Sequence, residues 1–535
     1  MGGRLIQVML SVATAAFLLL PGIRAQNFEQ TCSHLSDTLT VENATIETID
    51  LVSAGTNLTF PNVDPSCRTA SQVVPVDICR VQMTLATSDR SSTFMEAWLP
   101  RNWTGRFLAT GNGGIGGCIQ YADLAYGAKL GFAASGSNNG HSGQNGTKFL
   151  GNIEVVRDFA WRALHSSAEA GKKVSEQFYG DTHNTSYYLG CSTGGRQGLN
   201  MAENFASSFD GIVAGAPAVA FSNLTSWSGR FYSLIKSAGP DGVPPPEALA
   251  AIDQALLEQC DGLDGAMDGI LEDPSLCNFR PESLTCPSGG AGNSTCLTSR
   301  QVSLVRGIFS PLYGKDGDMI YPRLQPGPGL TGAILNIYGV GSQFLYTDHW
   351  FKYAVYNDPD LDTSHLTPEQ MAYAWNSNPG NSNTWSGDLS GAKKSGTKIL
   401  HYHGQADPLI SSAISNEYYD HVVRTMGIPN KELDAFYRFF RIGGMGHCTG
   451  GAGAVNIGNM GMTSASLEPD ENVLMAMVRW VEEGVAPEAV TGSAFMHQNP
   501  SEGIDFKRKH CRYPMRNVYS GSGDEKDVSS WECVL

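Results

Sequence analysis

The sequence predicts an α/β fold interrupted by one large insertion. Three observations carry this. Short β-prone runs lead into glycine-rich loops and then helical stretches: "SYYLG" enters "CSTGG", "GRQGLNMAENFA" continues as a helix, and "DGIVAGAPA" reads as the next buried strand. The same rhythm returns near the C-terminus, where "KILHYHG" precedes the loop "QADPLI", a helix over 411–426 and the strand "AFYRFFRI". Between about 206 and 395 the rhythm fails, and prolines, tryptophans and the cysteines Cys260, Cys277, Cys286 and Cys296 take its place. The chain thus divides into a leader (1–25), an α/β unit (26–205 plus 396–535) and an inserted domain (206–395). The insertion is expected to stand over the strand ends, where α/β folds place their sites.

At the N-terminus, Arg4 supplies a positive start, "VMLSVATAAFLLL" an apolar run, and "PGIRA" a small terminal Ala25. This is the pattern of a secretory signal peptide cut after Ala25; the run is short for a membrane span of ~20 residues. No other long apolar run follows, so no membrane partner is expected. The net charge is −16, and removal of Arg4 and Arg24 makes it more negative. Such a surface repels nucleic acid. All 12 cysteines follow the leader. An even count in a secreted chain points to disulfides, not to a thiol enzyme or zinc ribbon. Seven Asn-x-Ser/Thr sequons, at Asn43, Asn57, Asn102, Asn145, Asn184, Asn223 and Asn293, predict glycosylation in the same extracellular route.

Two further elements complete the α/β unit. "RFLATGNGGIGG" runs apolar to Thr110 and then turns glycine-rich. "NVLMAMVRWVEEG" puts Leu474, Met477, Val478 and Val481 on one helical face, with Gly484 as a stop, and reads as core packing.

The chemistry begins at Ser192, framed as Gly190-Cys191-Ser192-Thr193-Gly194. A sharp strand-to-helix elbow exposes such a hydroxyl, and small neighbours permit the tight turn. The frame alone is only moderately specific in a chain with 61 glycines. A serine nucleophile needs a base, and the base an orienting acid. Asp407 follows one expected strand and His447 another, giving the chain order Ser, Asp, His of the α/β-hydrolase fold. Taken singly, Asp407 reads equally well as a turn cap before Pro408, and His447 as a surface loop histidine. The backbone N–H of Thr193 is one expected oxyanion donor; "GNGGIGGC" offers Gly113 or Gly114 as the second.

His401 and His403 compete as bases, but they share a strand face and neither sits in a post-strand loop. A zinc site of His401, His403, His447 and Cys448 lacks any usual ligand spacing. Cys191 adjoins Ser192, and Cys448 adjoins His447. If serine and histidine meet, these neighbours come within reach of a disulfide. In the insertion, "CDGLDGAMDGILEDPSLC" carries Asp261, Asp264 and Asp268 with glycines that allow a tight curl. Hard oxygen ligands of this kind suit calcium, although the spacing is not that of an EF-hand and equally describes a solvated acidic turn.

At these residues the sequence resembles the tannase and feruloyl esterase family. The elbow "GCSTGGRQG", the acid loop "HGQADPLI", the base loop "GMGHC", the acidic loop "CDGLDGAMDGILEDP", "ATGNGGIGGC", "EAWLPRNWTGRF" and the tail "KRKHCRYP" all match, over nearly the whole chain after the leader. The resemblance implies an α/β-hydrolase fold whose insertion is a lid, and a triad of Ser192, Asp407 and His447 with Cys191 and Cys448 joined beside it. It implies structural calcium held by Asp261, Asp264 and Asp268 and by the carbonyls of Ala266 and Ile270. It pairs Cys32 with Cys79, Cys67 with Cys118, Cys260 with Cys277, Cys286 with Cys296, and Cys511 with Cys533. The activity it implies is that of a secreted serine carboxylesterase. Its partners would be feruloylated plant cell-wall polysaccharide or small hydroxycinnamate esters. The alternatives are a tannase cleaving galloyl esters, or a non-catalytic carbohydrate-binding protein on a hydrolase fold.

Overall fold

Period-two alternation of apolar residues sends successive side chains to opposite faces of a strand, so a strand apolar on both faces belongs in the middle of a covered sheet. In the computed structural model, which describes residues 22–287, 293, 295–461 and 463–535, nine strands form that sheet. They are β1 (Ala44–Val52), β2 (Ile78–Ser88), β3 (Ser91–Pro100), β4 (Arg106–Thr110), β5 (Phe132–Ser137), β6 (Thr185–Cys191), β7 (Gly211–Gly215), β8 (Lys398–Gly404) and β9 (Tyr437–Ile442). Their spatial order is β1-β2-β3-β5-β4-β6-β7-β8-β9. Pairing is antiparallel from β1 to β5 and parallel from there to β9.

The parallel strands divide their side chains between two cores. Tyr188, Ile212, Ala214, Ile399, Tyr437 and Phe439 point to one. Tyr187, Leu189, Val213, Leu400, Tyr402 and Phe440 point to the other. The first core is covered by α1 (Ala163–Tyr179) and α2 (Thr193–Asn204), through Val174, Phe178, Leu199 and Met201. The second is covered by α5 (Val473–Glu483), whose Leu474, Met477 and Val478 are buried as the sequence predicts. Gly484 ends that helix at φ 74°.

The expected start of the insertion at 206 is too early. Residues 211–215 are strand β7, hydrogen-bonded between β6 and β8, because "GIVAG" is an apolar run buried on both faces. The chain leaves the sheet after Gly215 and re-enters it at Lys398. The helix α3 (Phe221–Ala238) opens this inserted segment. Its Phe231 packs with Ile252, Val305, Ile334 and Tyr338 in a core continuous with that beneath the sheet. The helix predicted over 411–426 is α4 (Ala413–Met426).

After α5 the chain adds two antiparallel pairs, β10 (Ala489–Phe495) with β11 (Ile504–Cys511) and β12 (Arg516–Tyr519) with β13 (Trp531–Val534). All six disulfides of the implied pairing are formed: Cys32–Cys79, Cys67–Cys118, Cys191–Cys448, Cys260–Cys277, Cys286–Cys296 and Cys511–Cys533. Of the sequon asparagines, Asn43, Asn57, Asn102, Asn184 and Asn293 are exposed, and Asn145 and Asn223 half-buried. The apolar run expected to be a signal peptide lies outside the described residues. Among the described residues, no helix is long and apolar enough to cross a membrane.

Candidate active site

The turn from β6 into α2 forces one residue into a rare backbone conformation. Ser192 has φ 66° and ψ −121°, a region that costs a non-glycine residue of order 1–3 kcal/mol. Its neighbours must be small: a Cβ on Gly190 would stand 2.6 Å from the Tyr188 hydroxyl, and one on Gly195 2.1 Å from the Gly215 carbonyl oxygen. The turn is braced from β7. Ser192 N–H donates to the Gly215 carbonyl at 2.9 Å, and the Ser192 carbonyl accepts from Arg196 and Ala218 N–H at 3.0 Å.

Ser192 opens into a cavity of about 370 Å³. Phe221, Leu224 and Phe344 from the insertion, Leu409 and Ile410 after β8, and Met460 give it apolar walls; Gln120, Asp123, Gln144 and Tyr346 add polar points. His447, Thr193, Gly113 and Gly114 line the same space. The parallel register explains the convergence, since β6, β8 and β9 all end at this edge.

Asp407 is buried in the loop after β8. Its Oδ1 accepts N–H bonds from Leu409 at 2.8 Å and Ile410 at 3.0 Å, and its Oδ2 accepts from His447 Nδ1 at 2.7 Å. Burial alone would raise its pKa. The charge on His447 and the hydrogen bonds from His403 and His447 outweigh that and hold the carboxyl well below the usual range. Among the described residues no hydrogen bond joins the Ser192 hydroxyl to His447. What ties the two loops together is covalent: Cys191 and Cys448 form a disulfide with their Cα atoms 6.1 Å apart.

The glycine loop lies against the elbow. The Thr193 hydroxyl donates to the Gly114 carbonyl. Gly114 needs to be glycine, with φ 61° and the Tyr346 hydroxyl 2.4 Å from where a Cβ would stand. Among the described residues, nothing accepts from the N–H groups of Gly113 or Gly114, which leaves both free for a ligand in the cavity.

One contact and one residue were not legible in the sequence. His403 Nε2 stands 3.2 Å from Asp407 Oδ2, so the acid serves a second imidazole. Its face on β8 was legible, but not that the acid loop folds back onto it. Asp123 lines the cavity with Gly461 N–H, at 2.7 Å, on one oxygen. Burial pushes its pKa up to about 6 despite that bond. An acid in a helix's first turn looks like an ordinary end-charge, which hid it. The zinc alternative fails: Cys448 has no thiolate to offer, and both nitrogens of His401 and of His403 already have partners.

In the insertion, the acidic loop is stapled by Cys260–Cys277. Asp261 accepts from Gly269 N–H, Asp264 from Ala266 and Glu272 N–H, and Asp268 from Ile270 N–H. Burial first, then the charges of Asp268 and Asp261, raise the Asp264 pKa to about 6. This all-oxygen, mutually repelling set fits a hard cation. Among the described residues no three such side chains stand close enough to hold a metal by themselves. Arg508 on β11 reaches Asp268 at 2.8 Å and Glu272 at 2.7 Å, tying the loop to the C-terminal strands.

With this geometry in view, similarity to known proteins is informative. A family model described as tannase and feruloyl esterase matches residues 79–534. A probable feruloyl esterase B-2 of Aspergillus terreus is 47% identical over 512 residues, 96% of each chain. The crystal structure of feruloyl esterase B from Aspergillus oryzae superposes with a TM-score of 0.91 at 45% identity, covering 95% of this chain and 100% of that one. A tannin acyl hydrolase from Aspergillus niger shares the fold, with a TM-score of 0.73 at 23% identity over 95% and 96% of the two chains.

Proposed function

The chain belongs to the tannase and feruloyl esterase family, and we propose that it is a secreted feruloyl esterase. It hydrolyses feruloyl and related hydroxycinnamoyl esters of plant cell-wall polysaccharide with a Ser192–His447–Asp407 triad. The observation that carries this reading is the strained backbone of Ser192 at the cavity, on a loop bonded through Cys191–Cys448 to the histidine held by Asp407. Strain of this kind persists where function needs the hydroxyl exposed.

In the reaction, His447 Nε2 takes the Ser192 Oγ proton as Oγ attacks the ester carbonyl. Asp407 keeps the proton on Nδ1 and stabilises the imidazolium that forms. The N–H of Thr193, with that of Gly113 or Gly114, receives the developing oxyanion. His447 then protonates the departing sugar oxygen. Water, activated by the same nitrogen, releases the acid and restores Ser192. The segment between β7 and β8 acts as a lid, and its Phe221, Leu224 and Phe344 give the acyl ring apolar walls.

Those walls favour a methoxylated ring over one with three hydroxyls, which would bring polar groups against carbon. Methyl ferulate is therefore expected to be cleaved with kcat/KM at least tenfold above methyl gallate. A preference for gallate would overturn the substrate assignment.

Asp261, Asp264 and Asp268, with the carbonyls of Ala266 and Ile270, would hold calcium, which supplies charge neutralisation and a brace rather than chemistry. Chelation is expected to lower the unfolding midpoint by a few degrees, the scale of a ligand present at ~100 times its Kd. Asp264→Asn should erase the difference; a midpoint indifferent to chelator refutes the site. The pH dependence has a sign. The chelated protein carries Asp264 raised to about 6, so that group's contribution is full below the unfolded pKa of ~3.9 and is lost as pH rises through 6. Bound calcium favours the carboxylate and reverses the trend.

A further inference from the structure

The face of β8 that carries His401 and His403 is fully buried, and a chain of side chains runs along it to the acid. Tyr437 Oη stands 2.8 Å from His401 Nδ1. His401 Nε2 is 2.8 Å from Ser415 Oγ, on α4. Ser415 Oγ is 2.6 Å from His403 Nδ1. His403 Nε2 is 3.2 Å from both Asp407 Oδ2 and the Ile410 carbonyl. We propose that Tyr437, His401, Ser415 and His403 form a one-way hydrogen-bond relay that fixes Asp407 as the acceptor for His447. In it, His403 is a positioning residue for the ester-cleaving reaction.

The direction follows from the end of the chain. Both partners of His403 Nε2 are acceptors only, a carboxylate and a carbonyl, so Nε2 carries hydrogen. With His403 neutral, its Nδ1 accepts from the Ser415 hydroxyl. Ser415 then accepts from His401 Nε2–H, and His401 Nδ1 accepts from the Tyr437 hydroxyl. Every polar hydrogen is used once. The reverse direction requires a cationic His403 and leaves the buried Tyr437 hydroxyl without an acceptor among the described residues, at the cost of an unsatisfied donor. Burial agrees. It lowers the His401 pKa well below its ordinary value and raises that of Tyr437 well above its own.

Donors in series polarise one another, so each bond aims positive charge at Asp407. Oδ2 receives one N–H from His447 and one from His403; Oδ1 receives two from the backbone. The carboxylate thus has one orientation, and the His447 ring hydrogen-bonded to it has one too. The chain is anchored on two strands and a helix. Tyr437 is on β9, with the Phe439 ring 4.4 Å from that of His401. The charged groups acting on this set from neighbouring elements are Asp407, Glu203, which is bonded to Tyr418, and Asp420.

This rests on the triad reading, so its test has an arm that does not need turnover. In protein labelled with 15N-histidine, His401 and His403 should both appear as neutral Nε2–H tautomers at pH 7, assigned by loss of each signal in His401→Asn and His403→Gln. A doubly protonated or Nδ1–H His403 overturns the relay whether or not Ser192 is the nucleophile. In kinetics, His403→Phe should lower kcat about 10- to 100-fold with KM within about twofold. It should also move the acid limb of kcat to higher pH, because an Asp407 with one donor fewer holds the His447 proton more tightly. His403→Gln, whose amide still donates to Asp407, should recover most of kcat. Ser415→Ala, a smaller change on the surrounding fold, should move the acid limb the same way by less. Wild-type kcat and acid limb in a folded Ser415→Ala protein would refute the relay, as would a Gln variant no better than Phe.

Discussion

Ser192→Ala is expected to lower kcat/KM for methyl ferulate by about 10⁴- to 10⁶-fold, the range seen when a triad nucleophile is removed. At roughly 1.4 kcal/mol per decade this is a loss of about 5–8 kcal/mol of transition-state stabilisation. The fold should survive, because alanine keeps the Cβ and the Ser192 hydroxyl makes no hydrogen bond among the described residues. The same position should also reveal its strain. A residue with a side chain pays for φ 66°, whereas glycine adopts positive φ freely. Ser192→Gly should therefore be as inactive as Ser192→Ala and more stable by about 1 kcal/mol. Thermal unfolding of the two variants measures this directly. An alanine variant that keeps more than about 1% of activity would remove Ser192 from the mechanism. A glycine variant no more stable than alanine would mean that the elbow stores no strain.

Much of this site was legible because its parts are short and local. A β-prone run ending in Gly-x-Ser-x-Gly forces an elbow, and loops after parallel strands share one edge. Strand β8 falls where "KILHYHG" placed it, since alternation on a two-faced strand leaves little freedom in its limits. The start of the insertion was misread although "DGIVAGAPA" reads as a buried strand: the bound at 206 was set where prolines and tryptophans begin to crowd the sequence, whereas the chain leaves the sheet only after Gly215. The relay was beyond reach for another reason. Its members at 401, 403, 415 and 437 lie on three elements, and only tertiary packing turns a shared strand face into a directed chain. Asp123 is similar: what makes it unusual is its burial, beside a loop at Gly461 that is far away in sequence.

The Cys191–Cys448 pair supports the second large expectation. Ser192 and His447 ride on turns 257 residues apart in the adjoining cysteines, and no hydrogen bond brings serine to histidine among the described residues. The disulfide is the covalent restraint on their approach, and a misplacement of about 1 Å at reacting atoms costs ~100-fold. Cys191→Ala and Cys448→Ala should each lower kcat by about 10- to 100-fold, and by similar factors, with KM changed little. Both remove the same bond, so the double variant should be no worse than either single one; additive losses would mean that the cysteines act separately. Stability should fall as well, since a loop this long is worth roughly 5 kcal/mol in the chain-entropy account. The kinetic test must be run well below the variants' unfolding midpoints. The single variants also carry a free thiol, Cys448 beside the base or Cys191 beside the nucleophile, which the double variant lacks. If a single variant is worse than the double, the surplus belongs to that thiol, and the double variant gives the cost of the missing tether. A double variant with wild-type kcat would show that packing of the two loops suffices, and that the disulfide serves stability alone.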